Sequence, residues 1–171
     1  MMIPRAGTLQ VAGLDSERFR LADSRGLRDV GANLTRRYGI DLTPLVEALQ
    51  TRDISADAAV DDVARSADWV LTEPTAVWAH DFARSAVRRG EVVEVPLTVV
   101  RDGVLNSVAA FWAADLDATT SINTAPGGPT GAWTQVVHRL PPRTAAAEDR
   151  VTVGVHLDPM ADAPLRVLAQ W

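Results

Sequence analysis

The sequence predicts a mainly β protein, an antiparallel barrel or sandwich of roughly eight strands with an inserted helical segment. Strand-like stretches follow one another from residue 69 to the end at spacings of about ten residues, with no helical pattern between them. Helical spacing of apolar residues is confined to the region before them. With 171 residues, 47% of them hydrophobic, the chain is expected to form a single domain over 1–171, with the helical insertion at about 20–65.

The first element is a short strand over Gly7–Val11 (GTLQV), which alternates apolar and polar residues. Asp15 and Ser16 follow it as turn formers. We predict a helix over Gly26–Tyr38, because apolar residues recur there at helical spacing and Gly39 occupies the position of a C-cap glycine. The apolar residues of this stripe are Leu27, Val30, Leu34 and Tyr38.

A second helix is predicted to open at Thr43, with Pro44 at its first position. The segment Thr51–Arg65 is rich in alanine and aspartate, and it is compatible with a short helix or a solvated connector.

The remaining elements are strands. After WVLTEPTAVWAHDF, the segment Glu91–Val100 is strongly strand-like, and Arg101-Asp102-Gly103 is predicted to make a hairpin turn into Val104–Ala113. The Pro141-Pro142 and Asp158-Pro159 pairs are read as breaks between strands. The further strand candidates are Ser121–Thr124, Trp133–Leu140, Arg150–Leu157 and Leu165–Trp171.

Composition excludes several classes of function. The net charge of −5 without a basic block argues against a nucleic-acid partner. The absence of cysteine excludes disulfides, thiolate metal sites and a cysteine nucleophile. No apolar stretch is long enough to cross a membrane and no secretory leader is recognisable, so a cytoplasmic location is expected.

Complete catalytic machinery is not evident in the sequence. No strand, glycine-rich turn and helix follow one another as in a cofactor-binding fold, and without lysine a phosphate loop is excluded. The histidines are far apart, so no metal is expected, although His138 and His156 lie on predicted strands and could converge with Asp158 on a metal. A triad of His80 and Asp81 with Ser85 or Ser107 lacks a nucleophile elbow.

Two further sets of residues are read as non-catalytic. Glu91 and Glu94 lie three residues apart on one strand and so point to opposite faces, which prevents them from acting as a pair on one substrate. The five tryptophans fall in strand-like segments and are expected mostly in the core; they are Trp69, Trp78, Trp112, Trp133 and Trp171.

Several motifs together resemble one known family. RRYGIDLTPLVEAL is similar to the tyrosine-glycine-phenylalanine-aspartate stretch in the dimerisation arm of protein arginine methyltransferases, with Ile40 in place of phenylalanine. ADWVLTEPTAVWAHDF resembles the strands that follow it. PLTVVRDGVLNSVAAFWAADL is similar to the hairpin that carries a tryptophan-phenylalanine pair, here reversed as Phe111-Trp112. Nearly the whole chain resembles the C-terminal β-barrel half of that family.

The segment INTAPGGPTGAWTQ carries the most specific part of the resemblance. It is similar to a barrel loop that faces the active site, and five of its residues match in register: Thr124, Pro126, Pro129, Trp133 and Gln135. Ala132 stands where the family has a histidine, and an alanine side chain neither donates nor accepts a hydrogen bond. The candidate substrate-side and partner-facing residues are Asn123, Thr124, Pro126, Pro129, Thr130, Ala132, Trp133 and Gln135.

The residue types in this loop also indicate its physical properties, independently of the family resemblance. Pro126 and Pro129 fix φ and so lower the entropy lost when a surface docks there. Trp133 is expected to anchor the loop, and Gln135 to offer its amide at the mouth of the barrel. A rigid rim of this kind suits a protein interface, although a connector with no partner would have the same composition.

The resemblance implies a non-catalytic barrel subunit of a split, arginine-methyltransferase-like enzyme. The S-adenosylmethionine-binding fold and the glutamates that grip guanidinium belong to the family's other half, so this chain is expected to bind no cofactor alone and to need a partner catalytic chain. Met1-Met2, directly before the start of the barrel, motivates the split. The expected barrel is a closed antiparallel shell with a stiff lip. Alternatives are a stand-alone dimerisation or binding module and a fragment of a full-length methyltransferase.

The resemblance also implies a homo- or hetero-oligomer that assembles through the helical arm. The proposed contact residues are Leu27, Val30, Leu34, Tyr38 and Ile40. The same apolar stripe could instead pack on its own barrel. The substrate stays open between protein arginine, a peptide and a small molecule.

Overall fold

The computed structural model describes residues 4–16, 27–41, 43–44, 67–82, 90–127, 135–157 and 165–169. Within them are eight strands, one α-helix of three turns and a short 3-10 helix (Ala67–Trp69). The helix α1 spans Leu27–Tyr38. The strands are β1 (Ala6–Leu14), β2 (Thr75–Asp81), β3 (Glu91–Thr98), β4 (Gly103–Asp115), β5 (Ser121–Asn123), β6 (Val136–Ala145), β7 (Arg150–Leu157) and β8 (Leu165–Ala169).

All ladders among these strands are antiparallel, and they form two sheets. The first sheet has the order β2-β1-β4-β5, and β6 pairs with the early part of β4. The second sheet has the order β3-β7-β8. The predicted fold class is therefore confirmed as a mainly β, sandwich-like fold.

The expectation of a closed shell is wrong for the described strands. Between the two sheets they form no continuous ladder, and a single-residue bridge joins Thr72 to Val99. Closing the gap between the two sheets on this side would require β2 to pair with β3, but Pro96 in β3 has no N–H to donate. Thr75 Oγ1 instead donates to the Pro96 carbonyl at 3.4 Å.

The predicted hairpin at Arg101-Asp102-Gly103 is also wrong. β3 pairs with β7, whereas β4 pairs with β1, β5 and β6, so this turn carries the chain from one sheet to the other. The side chains of Arg101 and Asp102 form hydrogen bonds with backbone groups outside the turn. The Arg101 guanidinium donates to the carbonyls of Val70 (3.2 Å) and Asp68 (2.6 Å), and the Asp102 carboxylate accepts from the Ala147 N–H (2.9 Å).

Pro141 and Pro142 do not end a strand, contrary to the sequence prediction. They lie inside β6, at an irregularity where Leu105 pairs with Arg143 and Ser107 pairs with Arg139. At such a bulge a strand needs no ladder N–H from every residue, so prolines are accommodated there. β6 consequently continues to Ala145.

The main core lies between the two sheets and is built from inward-facing residues of both, such as Leu9, Val11, Val95 and Val153. A second cluster occupies the opposite face of the first sheet, and it consists of Ala12, Leu14, Ala109, Phe111 and Val137. The first sheet is therefore buried on both faces around β1, β4 and β6. This explains why β4 reads as a nearly continuous apolar run and not as an alternating strand.

The helix α1 ends as the sequence predicts. Gly39 adopts a φ of 70°, and its N–H donates to the Thr35 carbonyl at 2.8 Å, which is the geometry of a glycine C-cap. Thr43 and Pro44 are helical, and the Thr43 N–H donates to the Asp41 carboxylate at 2.9 Å, which lowers the pKa of Asp41. The rest of the predicted second helix and the segment 51–65 lie outside the described residues. No helix in the described ranges is long and apolar enough to span a membrane.

Gly13 lies at a tightly packed point of the first sheet. A Cβ at this position would come within 2.7 Å of Leu105 Cδ1 and 2.8 Å of Thr72 Cγ2. We expect Gly13→Ala to lower the free energy of unfolding by about 1–3 kcal/mol, because the neighbours are held in the core. Chemical denaturation measures this loss.

Gly7→Ala is the matched control on the same strand. Its Cβ would lie 3.2 Å from Phe82 Cε2, and this ring is 39% exposed and can turn away. We expect a change of no more than about 0.5 kcal/mol. Equal losses in the two variants would contradict the packing described around Gly13.

Candidate functional site

The candidate site is the loop between β5 and β6, and its first end is fixed by Thr124. The Thr124 N–H donates to the Trp112 carbonyl, the Trp112 N–H donates to Thr124 Oγ1, and the Thr124 hydroxyl donates back to the Trp112 carbonyl, all at 3.0 Å. Thr124 is buried. The side chain of Thr124 thus continues the pairing with β4 for one position after β5 has ended.

Gln135 fixes the second end of the loop. Its side-chain Nε2 donates to the Thr124 carbonyl at 2.5 Å, and the residue is only 4% exposed. The expectation that Gln135 offers its amide at the mouth of the barrel is therefore wrong, because the amide N–H₂ is used inside the protein. Trp112, Thr124 and Gln135 together form what we call the loop base.

The first residues above the loop base form a turn. Asn123 Oδ1 accepts from the Ala125 N–H at 3.0 Å, and Gly127 has a φ of 78° directly after Pro126. Proline followed by glycine with positive φ is the order typical of a type II turn. The structure therefore supports a stiff start to the loop.

The remaining predicted loop residues, Pro129, Thr130, Ala132 and Trp133, lie outside the described residues. The structure consequently tests neither their contacts nor the anchoring role expected for Trp133.

The loop base rests on a row of aromatic rings. Trp112 meets Trp78 edge to face with centroids 6.3 Å apart, Trp78 lies 4.9 Å from His80, and His80 lies 4.9 Å from Phe82. Trp78 and Trp112 pack on the main core, and Trp69 packs on the second cluster. These three tryptophans are therefore partly buried and border the core, whereas they were expected inside it; Trp133 and Trp171 are outside the described residues.

The catalytic triad considered from the sequence is not assembled. His80 of β2 pairs with Gly7 of β1, whereas Ser107 of β4 pairs with Leu14 of β1. At the rise of a β-strand, these two positions on β1 are about 23 Å apart. Ser107 Oγ donates to Asn106 Oδ1 at 3.1 Å. Ser85 is outside the described residues.

The possible metal ligands are also separated. His138 lies in the first sheet and His156 in the second, and Asp158 is outside the described residues. Among the residues that the structure describes, no group of three histidine, aspartate or glutamate side chains is placed to hold a metal ion.

A polar junction that sequence reasoning missed lies where the chain leaves β1 for the helical segment. The Ser16 N–H donates to Asn106 Oδ1 at 3.0 Å, and Asn106 Nδ2 donates to the Ser16 carbonyl at 2.9 Å. The Asp15 carboxylate accepts from the Val104 N–H at 3.1 Å and lies 3.9 Å from the Arg101 guanidinium. Asp15 and Ser16 were expected to form an ordinary turn, but both are buried.

The loop base gives a direct prediction for Thr124→Val. Valine keeps the shape of threonine but removes the hydroxyl, which leaves the Trp112 N–H without the acceptor Oγ1. We expect a loss of about 1–2 kcal/mol in the free energy of unfolding. Hydrogen exchange at the Trp112 amide is expected to accelerate more than exchange at β3 and β7.

Thr144→Val is the control for this prediction. Thr144 lies in β6 but is exposed, so its substitution is expected to stay within about 0.5 kcal/mol of the parent. If Thr124→Val were as mild as Thr144→Val, the loop base would not hold the loop in the way described.

Comparison with known proteins gives matches at the level of the fold. No protein-family model matches the chain, and no curated protein matches its sequence. The chain is similar to a chain of the Trypanosoma brucei PRMT1 enzyme–prozyme heterotetrameric complex with AdoHcy, with a TM-score of 0.64, 17% identity and coverage of 92% of this chain and 49% of that one. It is also similar to Arabidopsis thaliana protein arginine methyltransferase 10, with a TM-score of 0.61, 15% identity and coverage of 96% and 53%.

The chain therefore spans about half the length of these methyltransferases. At these identities the matches establish the fold alone. They confirm, at that level, the resemblance to a part of the arginine methyltransferases that the sequence motifs suggested.

Proposed function

We propose that this chain is the non-catalytic barrel subunit of an arginine-methyltransferase-like enzyme, and that a partner chain supplies the S-adenosylmethionine-binding domain. The observation that carries the proposal is the coverage: over nine-tenths of this chain matches only about half of each methyltransferase. The antiparallel pairing of the described strands supports the same view, because dinucleotide-type cofactor folds use parallel strands with helices between them.

The loop between β5 and β6 is the part of the chain that we assign to substrate positioning. The loop base fixes both ends of the loop by hydrogen bonds, and fixed ends lower the entropy lost when a substrate docks between them. Ala132 stands at the position of the family's histidine, so the contribution there is limited to shape and backbone groups. The substrate class is a guanidine or amine within this proposal, in a protein, a peptide or a small molecule.

A mixed assembly is the form that we propose for the enzyme. The trypanosomal neighbour belongs to an enzyme–prozyme heterotetramer, so a protein with this fold operates there beside a second kind of chain. By analogy, we propose that the present chain stabilises and orients a catalytic partner without binding the cofactor itself.

Affinity purification of the tagged chain from its native host, followed by mass spectrometry, tests this assignment. We expect a partner with an S-adenosylmethionine-binding domain, and we expect methyl transfer from labelled cofactor only when both chains are present. Recovery of the chain solely as a homo-oligomer would refute the split enzyme and favour the second candidate, a stand-alone dimerisation module.

The exposed end of α1 is the observation that favours a role in oligomerisation. Tyr38 is 61% exposed and Ile40 is 59% exposed, and the Arg37 guanidinium lies 5.6 Å above the Tyr38 ring. Leu34 is half-buried, and the side chains of Leu27 and Val30 are outside the described set. Large apolar side chains beside one another at a helix end are typical of an interface.

We therefore expect the double variant Tyr38→Ser/Ile40→Ser to lower the oligomeric mass, as measured by light scattering at constant protein concentration. Deletion of residues 26–49 should have the same effect. The control is Val100→Ser/Val136→Ser, which removes two other exposed apolar side chains (48% and 37% exposed) outside the helix. An unchanged mass in both double variants would exclude α1 as the interface.

A further inference from the structure

The end of α1 is exposed on every side. Gly31 is buried and Leu34 is half-buried, so the middle of the helix contacts the rest of the protein, but residues 36–41 are all exposed. A helix end that lay on its own protein would bury at least one side chain in each turn. Tyr38 and Ile40 instead leave 61% and 59% of their surfaces in contact with solvent.

Two guanidinium groups lie beside these apolar side chains, and both are held by neutral groups. Arg36 Nη2 donates to Asn33 Oδ1 at 2.5 Å, and the Arg37 guanidinium lies 5.6 Å above the Tyr38 ring. Within the described ranges, neither arginine pairs with a carboxylate. The helix dipole favours arginine in a last turn, but it supplies only about half a negative charge, so a positive surplus remains at this end.

The position of Arg37 limits what can cover Tyr38. Because the guanidinium lies on the ring, a partner that buries the ring also removes water from the charge. Removing water from a cation is costly unless acceptors replace it, and a carboxylate is the acceptor that matches a guanidinium best. A second copy of α1 would bring the same two cations to the contact, and like charges that face each other are unfavourable. The surface that covers Tyr38 is therefore expected to be negative and to differ from α1.

We propose that the end of α1 docks on an acidic surface of the catalytic partner, an apolar pocket whose rim carries aspartate or glutamate side chains. The partner is the chain named in the proposed function, so this docking surface depends on that proposal. Tyr38 and Ile40 would fill the pocket, and Arg36 and Arg37 would pair with the rim. A nucleic acid fits less well, because phosphates offer Ile40 no apolar contact and this chain has a net charge of −5.

Photo-crosslinking identifies the contacted surface directly. The photoreactive residue benzoylphenylalanine replaces Ile40 in the whole chain, the complex recovered from the native host is irradiated, and mass spectrometry identifies the cross-linked peptide. We expect a peptide of the catalytic partner, with aspartate or glutamate side chains beside the cross-linked residue.

The affinity of the whole chain for the recovered partner tests the role of the charge. Arg37→Glu should weaken binding by about thirtyfold or more, because repulsion replaces attraction in a desolvated contact. Arg37→Lys keeps the charge and should lose less than Arg37→Glu. Added salt should weaken binding of the parent more than binding of Arg37→Glu, since salt screens an attraction that only the parent has.

Arg150→Glu is the matched control. Arg150 is an exposed arginine at the start of β7, so its substitution changes the net charge equally at a position outside α1. Its affinity for the partner should equal that of the parent. Equal losses in the two glutamate variants would overturn the proposal, as would a cross-link to α1 of a second copy, to nucleic acid or to a surface without acidic side chains. Recovery of no cofactor-binding partner would instead refute the proposed function and the docking surface together.

Discussion

Phe111→Ala is expected to lower the free energy of unfolding by about 3–5 kcal/mol, the usual range for a buried phenylalanine. Phe111 is fully buried in β4, in the cluster on the outer side of the first sheet. If that side were simply solvated, as in an ordinary two-sheet sandwich, the loss would be small. Chemical denaturation followed by circular dichroism measures it.

Phe82→Ala provides the comparison. This phenylalanine is 39% exposed and contacts the His80 ring, so we expect a loss of about 1 kcal/mol. A loss for Phe111→Ala no larger than that for Phe82→Ala would mean that the second cluster contributes little to stability.

Asn106→Leu is expected to cost about 2–4 kcal/mol. The Asn106 amide pairs with both the N–H and the carbonyl of Ser16, and leucine would leave these two buried backbone groups without their partners. The effect should be local as well as global, because Ser16 lies at the exit from β1 towards the helical segment. Hydrogen exchange at the Ser16 amide should therefore accelerate even in conditions where the sheets stay folded.

Asn33→Leu serves as the control for this substitution. Asn33 is exposed on α1, where its Oδ1 accepts a hydrogen bond from Arg36 Nη2 at 2.5 Å. We expect a change within about 0.5 kcal/mol. Comparable losses in the two asparagine variants would contradict a special role for Asn106.

Local patterns in the sequence predicted the local elements well. The predicted bounds of β7, Arg150–Leu157, are the observed ones, and Gly39 ends α1 as a C-cap glycine should. These features depend on residues that are close in sequence, namely alternation along a strand and positive φ after a helix. Nearby residues carry enough information to specify them.

The pairing of strands was harder to predict because it depends on distant residues. Arg101-Asp102-Gly103 has the composition of a hairpin turn, yet its Arg101 binds carbonyls in the 68–70 segment and the chain changes sheets. A turn signal specifies a reversal of the chain but not the partners of the strands on either side. The burial of Asp15 and Ser16 escaped prediction for the same reason, since Asn106 is their partner from another strand.

For the loop between β5 and β6, the order of its two ends was predictable from the sequence, and its role as a site stays a prediction. The register of Thr124 and Gln135 singled out the ends of the loop, and both ends are ordered by hydrogen bonds. Gln135 was expected to offer its amide at the mouth of the barrel. The Gln135 side-chain amide is buried because it donates a hydrogen bond to the Thr124 carbonyl, which lies just past the end of β5.

Calorimetric titration of S-adenosylmethionine tests most directly whether the reacting group comes from another molecule. The chain alone is expected to release no binding heat, and the complex recovered from the native host is expected to bind the cofactor at one site per catalytic partner. Saturable binding of S-adenosylmethionine by the chain alone would contradict the account.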